Sequence, residues 1–255
     1  YQQFGVPHDK GLRGIVSRPT TDQIFQYFNT INQRVEKLIQ TQTLSEDAIK
    51  LIMTGFHHEC QHQELLVYDL QHLLAEQYRP VKKNEITKQT SVEKKSIQIK
   101  GGVYSMGNSG EGFCYDIELP EHKVYFNDYK IDEFPVTNKQ YLEFIESGGY
   151  ETYKYWLSDG WEKVKEKKWE SPMYWEKIED KWHTRDFLGI REINPDEPVC
   201  HVSFYEADAY CKWAGKRLPT EAEWEKAARG THGLKYPWSN KFLEKRSNLA
   251  GKADG

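Results

Sequence analysis

The feature that most constrains this chain is a change of hydrophobic period on either side of a lysine-rich stretch, residues 81–95. Before it, apolar residues recur every three or four positions, the spacing that places them on one side of an α-helix. After it they alternate in short runs broken by Gly and Pro, as strands do. A single all-helical or all-strand unit cannot satisfy both patterns. The sequence therefore predicts two domains, a helical one over 1–80 and an α+β one over 96–255, joined by the 81–95 linker.

In the helical part, Ile24, Phe25, Phe28, Ile31, Val35, Leu38 and Ile39 form one stripe, with Thr20 or Thr21 after Pro19 as the cap. A second helix is expected after Ser45, with Glu46 and Asp47 in its first turn, continuing through Leu51, Ile52 and Phe56 to Leu74. Two such helices make a thin core, so the pattern predicts part of an antiparallel bundle with further helices upstream.

In the second part, Ser96 to Met106 reads as strands around a Gly101-Gly102 turn, and 122–126 and 129–134 as two more strands. Helices are predicted over 138–147, 203–215 and 220–230, the last with Thr220 as N-cap and Glu223 at its third position. The stretch 150–182 holds five of the eight Trp without a clean period, which predicts a long, self-packed loop that lines a site.

Composition excludes several classes. Aromatic residues make up 14% of the chain, too many for a disordered protein. No apolar run approaches the ~18–20 residues of a membrane span, so no membrane role is expected. Lys and Arg number 35 against 39 Asp and Glu, a net charge of −4, which argues against nucleic acid as a partner. Cys60, Cys114, Cys200 and Cys211 are few and irregularly spaced, which predicts reduced thiols and a cytoplasmic location.

The sharpest chemistry lies in Gly55-Phe-His57-His58-Glu59-Cys60-Gln61-His62-Gln63-Glu64. On a helix His58 and His62 stand about 40° apart and one turn removed, so both imidazoles can reach one metal ion. Leu51 and Leu65 share their angular face, which predicts an inward position for the pair. Gln61, about 60° from His58, can present its amide beside the metal, whereas Glu64 points about 160° from His62 and is assigned a supporting or packing role. The segment also matches the HExxH zinc-peptidase pattern with Glu59 as base. Two imidazoles suit iron or zinc equally.

Two blocks, taken together, carry a resemblance. Val199-Cys-His-Val-Ser-Phe-Tyr-Glu-Ala-Asp-Ala-Tyr210 and the following Cys211 to Gly230, with Gly101 to Gly107, Phe134 to Asn138 and Tyr236-Pro-Trp238, resemble the formylglycine-generating-enzyme-like (sulfatase-modifying factor) domain. Arg13-Gly-Ile-Val-Ser-Arg18 and His57 to Leu66 resemble the DinB-like helical domain of the ergothioneine-biosynthesis sulfoxide synthases, and the domain order matches that family too. The resemblance implies a partial DinB-like bundle followed by a partial C-type-lectin-like domain. It also implies a ferrous non-haem enzyme that uses O₂ to join the thiol of cysteine or γ-glutamylcysteine to the imidazole of hercynine, giving a sulfoxide.

By the same resemblance, His58 and His62 are two of three Fe(II) ligands, and the third is expected upstream of Tyr1. Gln61 helps hold hercynine, and Arg13 or Arg18 binds the carboxylate of the thiol substrate, a task that suits a bidentate guanidinium. A proton-donating tyrosine is expected beyond Gly255, so the resemblance implies that the chain covers part of a larger enzyme. Cys200 and Cys211 do not match the copper-binding pair of true formylglycine-generating enzymes and are read as small core residues. Rival readings are a sister synthase for ovothiol or selenoneine, a zinc-dependent hydrolase or thiol transferase, and a non-enzymatic ligand-binding module.

Overall fold

Four α-helices of this protein begin with the same device. Thr20, Thr137, Ser203 and Thr220 each accept a hydrogen bond from the backbone N–H three residues on, while Gln23, Gln140, Glu206 and Glu223 reach back to the cap. Each box satisfies two of the donors a helix start leaves unpaired. The computed structural model describes residues 19–74, 95–186 and 189–246. Arg13, Arg18 and nearly all of the predicted 81–95 linker lie outside the described residues. The chain divides between His57 and His58 into two units.

Helices α1 (Thr21–Thr41) and α2 (Glu46–Leu74) form where the sequence predicts them. Ser45 caps α2, its hydroxyl accepting from the Ala48 N–H at 3.2 Å. Neither helix has a buried residue. The apolar stripe of α1 is intact as a stripe, but Phe25 and Phe28 are exposed, as are Leu51 and Leu65 on α2. Among the described residues no helix is long and apolar enough to cross a membrane.

The α+β half contains β1 (Ser96–Ile99), β2 (Gly102–Met106), β3 (His122–Phe126) and β4 (Tyr129–Asp132). The predicted strands are present, but Gly101-Gly102 is not a hairpin turn. β1 pairs antiparallel with β4 and β2 with β3, so the two glycines carry the chain from one two-stranded sheet to the next. Gly101 is required there by close approach: a Cβ would lie 2.5 Å from the Phe126 carbonyl oxygen.

Helix α3 (Asn138–Glu146) and, later, α5 (Phe204–Trp213) and α6 (Glu221–Arg229) follow the expected positions. The stretch expected to be a long loop is instead structured. It contains α4 (Ser158–Lys167) and leads into an antiparallel sheet of β5 (Trp175–Ile178), β6 (Lys181–Asp186) and β7 (Gly189–Glu192). Its tryptophans spread over several short elements, which is why no single period shows.

Those aromatics form the core. Tyr141 and Phe144 of α3 meet Tyr150, Trp156, Val164 of α4 and Ala209, Tyr210 and Cys211 of α5. Tyr141 stacks on Tyr210 at 5.5 Å, while Phe144 meets Tyr210 edge-on at 5.9 Å, the offset and T-shaped geometries aromatic quadrupoles favour. Polar tips are satisfied inside it: the Trp156 indole donates to the Gly149 carbonyl at 2.8 Å, and Tyr150 donates to the buried Glu206 carboxylate at 2.5 Å. Desolvation pushes the Tyr141 and Tyr150 phenols far above their ordinary values and Tyr210 up to about 12, so all three stay neutral.

Candidate metal-binding pair

One turn of α2 separates His58 from His62, and the helix delivers the two rings to one place. Their Nε2 atoms lie 3.2 Å apart, with ring centroids 4.4 Å apart and planes inclined at 64°. Two imidazole nitrogens bound to one ion at about 2.0–2.1 Å, with an angle of roughly 90–110° between them, stand about 2.8–3.4 Å apart. The pair therefore fits two neighbouring positions around a single metal. With both rings neutral and no ion bound, the same distance lets one Nε2–H donate to the other ring.

The expected inward position is not realised. His58 and His62 are both exposed, and so are Leu51 and Leu65 beside them. The shared face holds as helical geometry, but no layer of described residues buries it. Gln61 is exposed next to His62 with its amide unengaged among the described residues. Glu64 accepts a hydrogen bond from the Tyr68 hydroxyl at 2.5 Å, one turn on. His57 is half-buried and edge-on to Phe56 at 6.1 Å.

Among the described residues no group of three or more His, Cys, Asp or Glu side chains converges as a complete metal site. The described donor set is thus two imidazole nitrogens. It supplies two positions in a coordination sphere and does not choose between iron and zinc. Cys200 is exposed and Cys211 buried in the aromatic core, and desolvation raises both thiols above their ordinary value, which disfavours the thiolate a metal ligand needs. Cys211 is the small core residue expected, whereas Cys200 is not buried.

A second cluster was missed in the sequence. At the C-terminal end of α2, the Tyr174 hydroxyl and His72 Nδ1 are 2.9 Å apart and the Gln71 amide lies 3.3 Å from His201 Nε2. Tyr174 and His201 pack edge-to-face at 4.9 Å. Both sit in left-handed backbone, with φ of 68° and 61°, which is uncommon for side chains of this size. Desolvation lowers the His201 pKa, favouring the neutral ring that accepts from Gln71. No sequence pattern announces positive φ at a tyrosine or histidine, so this contact was not legible beforehand.

Residues 82–254 match the family described as sulfatase-modifying factor enzyme 1-like domain. The chain is 39% identical over 165 residues to a hercynine oxygenase of Mycolicibacterium smegmatis, covering 62% of this chain and 38% of that one. It is 40% identical over 170 residues to an inactive C-alpha-formylglycine-generating enzyme 2 of Bos taurus, covering 60% and 55%. To a formylglycine-generating enzyme of Bos taurus it is 34% identical over 171 residues, covering 61% and 45%. The matches to hercynine oxygenases span little more than a third of those proteins. One scaffold thus carries proteins named for different activities and one named inactive, so the scaffold alone does not fix the chemistry.

Proposed function

Because the chain belongs to the sulfatase-modifying factor enzyme 1-like family, we propose that it works in an iron(II)- and O₂-dependent sulfoxide synthase of ergothioneine biosynthesis. The observation that carries this reading is the His58–His62 pair, with Nε2 atoms 3.2 Å apart, preceding a part of the chain that is 39% identical over 165 residues to a hercynine oxygenase. The substrates are small: hercynine, a thiol from cysteine or γ-glutamylcysteine, and O₂. In this reading residues 1–80 form a DinB-like helical domain and 96–255 the lectin-like domain, joined by the 81–95 linker.

His58 and His62 would hold the ferrous ion through Nε2, completed by a ligand from outside the described residues. When bound, the ion supplies O₂ activation and favours the thiolate form of the sulfur substrate. Everything else falls to the chain's own groups. Gln61 faces solvent beside His62 with its donors and its acceptor free among the described residues, as a partner for the hercynine imidazole would. Arg13 or Arg18 would clamp the carboxylate of the thiol substrate in a bidentate pair, fixing the sulfur relative to the imidazole carbon it joins.

The test is product formation by the full-length iron-reconstituted protein, followed by mass spectrometry. Hercynine with cysteine or γ-glutamylcysteine should yield the corresponding sulfoxide at the imidazole 2-position. A product linked at the 5-position, or one formed only from a selenium donor, would point to a sister synthase. Hydrolysis or thiol transfer with zinc bound and no sulfoxide would replace the proposal with the zinc reading, in which Glu59 lies between the two histidines.

A further inference from the structure

Helix α6 has one buried residue, and it is a lysine. Lys226 is only 4% exposed, and its Nζ lies 3.9 Å from the centroid of the Tyr104 ring on β2. The ring face offers a cation–π contact, but an ammonium carries three N–H donors. Among the described residues no oxygen accepts from it and no carboxylate pairs with it, and desolvation alone lowers its pKa. The side chain is buried as a whole, yet its ammonium keeps donors to spare for a polar group that meets it.

The space beside it shows what could. Lys226 borders a cavity of about 380 Å³ between the β2–β3 hairpin and the end of α6, within the size range of small-molecule sites. Ser105, Lys123, Thr231 and His232 also line it, with Glu121 the one carboxylate among the described lining residues. Lys123 donates to the Ser105 hydroxyl at 2.6 Å and has no carboxylate partner there. Arg229, also on the wall, is already spent: Glu225 takes its charge at 2.6 Å, and the carbonyls of Gly107, Gly233 and Leu234 accept its remaining donors.

The two cations on this wall without a carboxylate partner are therefore both lysines, opposed by the single carboxylate of Glu121, and hydroxyl donors stand beside them. Planar carboxylates are matched best by a guanidinium fork, whereas ammonium point charges with hydroxyls suit a tetrahedral dianion. We propose that this cavity binds the phosphate group of a small phosphorylated molecule, with Lys226 at its buried end and Lys123 at its rim. The site lies wholly within the α+β half and does not rest on the reading of the histidine pair.

Isothermal titration calorimetry with inorganic phosphate at constant ionic strength tests the proposal on the full chain. Saturable phosphate binding is expected, weakened about tenfold in Lys226→Met and about threefold in Lys123→Gln. Should Lys226→Met fail to fold, the exposed Lys123→Gln decides. The proposal is overturned if phosphate does not bind saturably, if succinate binds as tightly as phosphate, or if Lys123→Gln leaves phosphate binding unchanged.

Discussion

Phe28 on α1 and Phe144 on α3 are the same residue type at apolar positions of amphipathic helices, yet Phe28 is 58% exposed and Phe144 is fully buried. Both helices open with a capping box, Thr20 with Gln23 and Thr137 with Gln140. The local grammar is the same, and what differs is the company. Around Phe144 stand Tyr150, Tyr155, Tyr210 and Trp213, each with its ring centroid within 6.3 Å. Period and caps make the helix, whereas burial depends on side chains brought from far along the chain.

The largest expected effect tests that contrast directly. Phe144→Ala should lower the stability of the α+β half by about 3–5 kcal/mol, the cost of emptying an aromatic site in a packed core. Phe28→Ala should change stability by no more than about 0.5 kcal/mol. Urea unfolding followed by tryptophan fluorescence reads the first, and helical circular dichroism reads the second. Equal losses would break the comparison.

Two glycines give the next test, with opposite signs. A Cβ on Gly160 in α4 would lie 2.6 Å from the Tyr205 Cβ, whereas one on Gly55 in α2 would meet nothing within 4 Å. Gly160→Ala should destabilise by about 1–3 kcal/mol through overpacking. Gly55→Ala should stabilise α2 by about 0.5–1 kcal/mol, because alanine loses less backbone freedom in a helix. Melting temperatures of the two variants should move in opposite directions.

A smaller effect separates the caps themselves. Arg217 grips Glu223 through two hydrogen bonds of 2.6 and 2.7 Å, and this pairing lowers the Glu223 pKa from 4.5 to about 2. A carboxylate depressed in the folded state stabilises above its unfolded pKa and loses that contribution as pH falls through the folded one. The stability difference between the natural protein and Glu223→Gln should therefore be constant above pH 4.5 and fade towards pH 2. With Arg217 largely exposed, about 1 kcal/mol or less is expected. The Thr20 box of α1 uses the neutral Gln23 and should show no such dependence. A difference that persists at pH 2 would contradict the assignment.

The sequence made the caps and the helical periods legible because both are local. Thr20, Ser45 and Thr220 could be read within a few residues of what they bind. The partners of the strands could not: Ser96 pairs with Asp132, and the adjacent Gly102 with Phe126, so the Gly-Gly step looked like a hairpin and is a passage between sheets. The angular relation of His58 to His62 followed from helix geometry alone, and their nitrogen separation agrees with it. Their exposure did not follow, because a shared apolar face says nothing about which layer covers it. Nor did the left-handed backbone at Tyr174 and His201, or the lysine buried under a tyrosine ring, since neither leaves a periodic trace.

The most direct test of the proposed function is oxygen consumption by the full-length protein after anaerobic loading with ferrous iron. Bound iron and oxygen uptake that requires hercynine and a thiol together are expected, with loss of both the iron and the uptake in His58→Ala and His62→Ala. Zinc held at full occupancy, with no oxygen uptake after iron reconstitution, would contradict the proposed function.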